Sequence, residues 1–404
     1  MNRQTLIRNR HKQKNEDQYL NVPHEASRFQ RVTAFVSSTA LLHNYQTIAD
    51  QAKNSFLLPM IKANAYGHGD VWVAHELLSQ PKLYGLGVAT LDEAFRLRQN
   101  LGLKARKVKI VVVSGTAHWT KDKADFCERY QLTPVIATSE DWVQFIKNRD
   151  YERLSYHIKF NTGMNRLGVL FSDVQKIRSQ IQKLGHRYMP EGIATHFACA
   201  ENPSHALTRL QVKRFLSIKQ ELQSACPQAF FHCANSAAIW NAKKLGIEVC
   251  SDIVRPGLSL YGARPWVGAP QRGLQPVLSL HSPVIAKHQL KKGDSIGYGA
   301  TFTVQSSQQW VAICSIGYGD GVHRLLSNRG HVFLGGKLRR VLGIISMDLA
   351  AVECDASTKL GDSVEWIGNS IDPWTQALAA GTIPYEIYTS LSQRVFYESE
   401  QSRS

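Results

Sequence analysis

The sequence predicts a parallel (β/α)8 barrel followed by a C-terminal, mostly antiparallel β domain. Three observations carry that prediction. Eight short apolar runs recur between residues 57 and 262, separated by amphipathic stretches with helix-start signals. After about residue 275 the pattern becomes an alternation of apolar and polar residues broken by Lys-Gly-Asp, Gly-Gly and Leu-Gly-Asp turns. The composition, 43% hydrophobic and 20% charged with a mean hydropathy of −0.25, is that of a globular chain.

Taken in order, residues 1–30 are polar and aperiodic and read as a mobile basic arm, with an addition to the β domain as the other reading. The barrel is assigned to residues 31–274. Its apolar runs are LLPMIK (57–62), YGLGVAT (84–90), VKIVVVSG (108–115) and LTPVIAT (132–138), then YHIKFN (156–161), GIATHF (192–197), FFHCAN (230–235) and IVRPGLSLYG (253–262). Such runs suit strands buried on both faces. Thr90-x-x-Glu93 predicts a capping box ahead of Ala94, Phe95 and Leu97. Ser172-x-x-Gln175 predicts a second helix start, with Val174, Ile177, Ile181 and Leu184 on one face and Gly185 beyond its end. A doubly wound open sheet shares this alternation but has fewer strands as a rule. The β domain is assigned to 275–404, with strands in VLSLHSPVIAKH, DSIGYGATFTV, QWVAICSIGY, HVFLGGKLRRVLGIIS and DSVEWIG.

Composition also excludes functions. Of the 404 residues, 48 are Lys or Arg and 32 are Asp or Glu, a formal charge of +16. Such an excess raises nucleic acid or an anionic membrane as partners. The arm, with six cations against three acids, supplies little of it, and no nucleic-acid motif or aromatic-interleaved basic stripe is present. No apolar run approaches the ~18 residues of a membrane span, and the N-terminus lacks the apolar stretch of a secretory signal. Seven cysteines without a Cys-x-x-Cys argue against a disulfide framework or a structural zinc site, and a reducing cytoplasm is expected. His68, His196 and His232 form neither His-x-His nor His-Glu-x-x-His, so no metal is expected.

A barrel builds its active site from the loops at the carboxyl ends of its strands. There the sequence delivers Lys62, Lys159 and Arg166, His196, Asn235 and Ser236, and Arg255-Pro256-Gly257. A Lys closing a buried strand gains nucleophilicity, because desolvation favours its neutral amine. A Ser and a Gly after the last two strands match the barrel's habitual phosphate site. Together these suggest pyridoxal phosphate, with a residue facing its ring nitrogen.

Nine segments, in order, then resemble the alanine racemase family: MIKANAYGHG (60–69), KFNTGMNRLG (159–168), THFACA (195–200), HCANSAA (232–238), RPGLSLYG (255–262), IGYGATFT (296–303), IGYGDG (316–321), ISMD (345–348) and PYE (384–386). The resemblance implies an isomerase that interconverts L-alanine and D-alanine, supplying D-alanine for peptidoglycan, as a homodimer with shared active sites. It implies that Lys62 carries pyridoxal 5'-phosphate and that Tyr66, Ser236, Gly257, Leu258 and Tyr385 hold its phosphate. Arg255 would face the ring nitrogen, with His196 and Asn235 beside the cofactor. Tyr298 of a second subunit would be the other catalytic base. Arg166 and the main chain at Met347 would hold the substrate carboxylate, Lys159 would orient the Arg, and Tyr318 would line the entrance.

Taken singly, Tyr298 reads as a hairpin aromatic, His196 as a satisfied core histidine and Met347 as packing. The resemblance favours the other reading, and the chemistry it implies agrees with these residue types. Racemisation removes a proton from one face of the α-carbon and returns one to the other, which calls for two bases on opposite sides. An Arg at the ring nitrogen cannot readily protonate it, because its own pKa exceeds ~12. The sequence departs from the family pattern at Asn161 and Glu201, where Asp is usual, at Ser346, where Cys is common, and at Arg-Val-Phe-Tyr (394–397). These departures bear on entrance shape and substrate breadth, and a broad-specificity amino-acid racemase and a non-enzymatic cofactor-binding barrel are the alternatives.

Overall fold

The computed structural model describes residues 31–399, apart from 103–104, 116–117, 148–153, 186–187 and 249–250. The arm assigned to 1–30 lies outside the described residues. All eight runs of the barrel form strands. Gly85–Val88, Lys109–Val112, Leu132–Ile136, His157–Asn161, Gly192–Ala194 and Phe230–His232 pair in parallel, each with the next. Cys233 interrupts the seventh run, whose second half, Ala234–Asn235, pairs with Ile253–Arg255, which pairs with Phe56–Leu57. Parallel bridges Leu57 to Leu83 and Met60 to Gly87 close the ring.

The helices between them form for the reasons legible in the sequence. Leu91–Leu101 opens with the Thr90/Glu93 capping box and buries Ala94, Leu97 and Leu101. Val174–Leu184 buries Val174, Ile177 and Ile181 and ends at Gly185. Its start differs from expectation. Ser172 sits in a 3-10 turn, Phe171–Asp173, and no side chain caps the helix, because the Asp173 carboxylate accepts from the Ser139 hydroxyl at 2.8 Å. Each apolar side chain fully buried between helix and barrel contributes roughly 1.5–3 kcal/mol.

The second domain is built on one sheet. Its strands run Gln308–Cys314, Ala350–Cys354, Lys337–Leu342, His331–Leu334, Ser363–Ile367, Leu278–Lys291, Thr33–Val36 and Phe396–Ser399. The long strand Leu278–Lys291 shifts register between Val284 and Ala286 and pairs back to Gln308–Cys314, closing a small barrel. Thr33–Val36 pairs antiparallel with Leu278–His281 and parallel with Phe396–Ser399, so the start of the described chain lies in this sheet and not in the (β/α)8 ring. No described helix is long and apolar enough to cross a membrane.

The chain leaves the barrel at Gly262, where φ is +86° and an added Cβ would lie 1.9 Å from the Gln275 carbonyl oxygen. Gly262→Ala should therefore destabilise the protein by about 3 kcal/mol or more, combining left-handed backbone strain with a backbone clash. Urea unfolding measures this, and a loss below 1 kcal/mol would show that the junction yields freely.

Candidate active site

The strand that begins at Phe56 does not run on into an ordinary helix. Ala63, Asn64, Ala65 and Tyr66 all have φ between 51° and 54°, a single left-handed turn directly after Lys62. Each such L-residue costs roughly 1–2 kcal/mol, and specific partners hold the turn. The Glu93 carboxylate accepts from Ala63 N–H at 2.7 Å while also accepting from Ala89 N–H at 2.6 Å. His68 Nδ1 lies 2.9 Å from the Tyr66 carbonyl and 3.1 Å from that of Ala65, both acceptors. The Tyr397 hydroxyl donates to the Gly67 carbonyl at 2.6 Å. A Cβ at Gly67, where φ is +80°, would lie 2.1 Å from the Tyr388 carbonyl, so the turn packs directly on the helix Pro384–Thr389 of the second domain.

Beside this turn lies a small cradle. The Ser236 hydroxyl accepts from Gly257 N–H at 3.0 Å, and a Cβ at Gly257 would meet the Tyr66 hydroxyl at 2.6 Å. The Tyr66 ring lies 5.6 Å from that of Tyr385 and 5.1 Å from that of Tyr261. Leu258 is buried beside Gly257. Burial raises both phenols, Tyr385 to about 12, so both stay neutral O–H donors. Asn235 serves chiefly as a cap: its side chain accepts from Ala238 N–H at 3.0 Å and so fixes Ser236 at the start of the next helix.

The rest of the rim is cationic. Arg255 is buried among carbonyls, donating to Thr195 O at 2.7 Å and His232 O at 3.0 Å, with His196 Nδ1 3.5 Å away. Burial lowers its pKa to about 10, so it remains charged at neutral pH. Burial and the charges of Arg255, Arg166 and Lys62 bring Lys159 down to about 8. Burial first and Arg166 second lower Lys62, and Glu93 partly opposes them. His196 is pushed well below its ordinary value by burial and then by the same cations, so it is neutral. A rim with this charge balance suits an anion, and its lysines are poised to act as amines.

The structure thus brings together Lys62, Lys159, Arg166, His196 and Arg255, and beside them Tyr66, Ser236, Gly257, Leu258 and Tyr385. Three other candidates lie on the exposed face of the β domain. Tyr298 projects from a 3-10 turn flanked by Gly297 and Gly299 and is 71% exposed. Tyr318 and Met347 are exposed neighbours, joined by Tyr318 N–H to Ser346 O at 3.0 Å and Gly319 N–H to Met347 O at 2.9 Å. Sequence reasoning gave Glu93 only a helix-capping role and gave His68 none. His68 belongs to the Lys-to-His string, whose backbone conformation has no compositional signature, and nothing in the capping box shows that Glu93 also reaches Ala63.

A lysine at the end of a barrel strand, a hydroxyl and amide cradle beside it, and a second domain packed on the lysine turn define a two-domain barrel enzyme built around a half-buried lysine. The comparisons agree. Models of the alanine racemase N-terminal and C-terminal domains match residues 36–265 and 277–398. The chain is 34% identical over 381 residues to the alanine racemase of Coxiella burnetii, spanning 92% of this chain and 100% of that one. It is 33% identical over 375 residues to that of Carboxydothermus hydrogenoformans, spanning 90% and 98%. The solved alanine racemase of Acinetobacter baumannii superposes with a TM-score of 0.82 at 32% identity, over 92% of this chain and 100% of that one. That of Bartonella henselae, solved with covalently bound pyridoxal phosphate, gives 0.79 at 28% identity over 91% and 99%. The chain belongs to the alanine racemase family.

The lowered pKa of Lys159 has a measurable consequence. Folding releases a proton from this amine between about pH 8 and its ordinary 10.5, so its contribution to stability is poorest below pH 8 and improves as pH rises. The stability gap between Lys159→Met and the parent should favour the variant most at neutral pH. It should shrink by on the order of 3 kcal/mol by pH 10.5. A gap constant with pH in urea unfolding would contradict the depressed value.

Proposed function

We propose that this chain interconverts L-alanine and D-alanine with pyridoxal 5'-phosphate held on Lys62, in the cytoplasm, supplying D-alanine for peptidoglycan. The observation that carries the reading is the juxtaposition of a depressed lysine amine with a cradle that suits a phosphate. There Ser236 Oγ accepts from Gly257 N–H, the Tyr66 hydroxyl approaches Gly257 so closely that no Cβ would fit, and the Tyr385 ring lies beside that of Tyr66. The residues fit the group, with Leu258 adding main-chain contact and Asn235 fixing Ser236. Arg255 would face the ring nitrogen as a permanent donor, and His196 would lie against the ring. When bound, the cofactor makes the α-proton of the substrate acidic.

The chain's own groups do the rest. The Lys62 amine, whose pKa burial and Arg166 lower, takes or returns the proton on one face. Tyr298 serves the other face. Its ring is 71% exposed in one chain, beside an apolar recess of about 350 Å³ lined by Ile296, Ile344 and Leu349, which supports a homodimer in which each β domain covers the other's barrel mouth. Arg166 and the main chain at Met347 hold the substrate carboxylate, Lys159 orients Arg166, and Tyr318 borders the entrance. The buried free thiols of Cys127, Cys226, Cys233 and Cys314 suit a reducing compartment.

Lys62→Ala should abolish racemisation and the visible absorbance of the protein-bound cofactor, and retention of both would overturn the assignment. Tyr298→Phe should impair proton exchange on one face selectively, read as unequal solvent-deuterium incorporation in the two directions; equal, slight effects would refute two bases. A racemisation assay across alanine, serine, lysine and arginine tests breadth. Fast turnover of alanine alone supports the reading, and comparable rates on the basic amino acids would point to a broad-specificity racemase.

A further inference from the structure

Behind Arg255, on the side away from the rim, polar groups continue down the barrel interior. Arg255 Nη1 donates to His232 Nδ1 at 2.8 Å. His232 Nε2 lies 3.0 Å from His157 Nδ1, and His157 Nε2 lies 2.9 Å from the Tyr84 hydroxyl. That hydroxyl donates to Glu191 Oε1 at 2.7 Å. Glu191 also pairs with Lys109 and accepts from the Ser155 hydroxyl. Lys109, His157 and Gly192 open their strands and Arg255 closes its own, so the column spans the barrel from floor to rim. Barrels of this kind ordinarily fill their interior with branched apolar side chains. Here Leu58, Val111, Val135 and Ile253 do so around the column.

The direction of every bond in the column is determined. A guanidinium only donates, so His232 Nδ1 must accept and its proton must sit on Nε2. His157 Nδ1 then accepts from His232, which places the His157 proton on Nε2. Tyr84 oxygen accepts that proton's bond, and its own O–H is left to the Glu191 carboxylate. Both imidazoles are 0–1% exposed and are held neutral by burial, His157 down to about 3. Room is made for them: a Cβ at Gly192 would stand 2.6 Å from the His157 ring.

We propose that Tyr84, His157 and Glu191 are positioning residues for Arg255, acting through His232 to hold one order of donors from the barrel floor to the rim and so to fix the guanidinium that the cofactor ring meets. The inference rests on the reading that Arg255 faces the ring nitrogen. A column that ends in an acceptor at Glu191 has a single arrangement. Removing the acceptor at the floor leaves His157 Nε2–H or Tyr84 O–H unpaired in the core; moving both imidazole protons to Nδ1 relieves this but sets His232 Nδ1–H against the Arg255 guanidinium, so the two orders compete and Arg255 loses its fixed position.

The test is nitrogen-15 NMR of histidine-labelled full-length protein, with Tyr84→Phe, Glu191→Leu and Glu191→Gln beside the parent, together with racemisation kinetics. In the parent, His157 and His232 should both be neutral with the proton on Nε2. Tyr84→Phe and Glu191→Leu should mix the tautomers and lower kcat about tenfold with KM little changed. Glu191→Gln keeps an acceptor for Tyr84 and should retain the parent tautomers and rate, which also guards against a variant that simply folds poorly. Unchanged tautomers in both disruptive variants would overturn the proposal, as would mixed tautomers with unchanged kcat. Failure of the racemase reading looks different: the unsubstituted chain would neither bind pyridoxal phosphate nor turn over alanine, whatever its histidine tautomers.

Discussion

The site depends on crowding positive charge at the mouth of a barrel. Arg255 is buried, yet backbone carbonyls and two neutral imidazoles surround it and keep its charge tolerable at neutral pH. Burial first, and the rim's cations after it, act on the neighbouring groups. His196 cannot protonate, Lys159 titrates near 8, and Lys62 is lowered by burial and Arg166. The same field that favours anions at the rim therefore also favours the neutral form of its amines. Of the +16 formal charge of the chain, these few cations are the ones with a definite chemical task.

A second constraint is geometric. The left-handed turn Ala63–Tyr66 reverses the chain so tightly that Lys62 and Tyr66 belong to one compact site. Such a turn persists only where its surroundings over-determine it. They come from three places in the sequence: Glu93 at a helix start, His68 at the turn's own end, and Tyr388 and Tyr397 from the C-terminal region. The β domain is thus a structural part of the lysine site within one chain, besides presenting Tyr298 outward.

Much of this was legible in the sequence, for identifiable reasons. The eight buried runs and the Thr90 capping box follow from local periodicity and hydrogen-bonding rules, and they appear as expected. Ser172 misled because a cap depends on where the neighbouring acid finds its partner, here Asp173 on Ser139. Thr33–Val36 carries no sign of which domain it joins, since pairing with Phe396–Ser399 is a contact across nearly the whole chain. Motif matching found the rim residues, but Tyr84 and Glu191 lie outside the motifs. Their importance comes from a column that only the closed barrel assembles.

The central claim is that the rim selects Lys62, among the chain's 23 lysines, as the amine that takes the cofactor. The most direct test is to load the protein with pyridoxal phosphate, reduce it with borohydride and map the modified peptide by mass spectrometry. The account predicts a single stoichiometric label on Lys62. A label on Lys159, or one scattered over surface lysines, would contradict it.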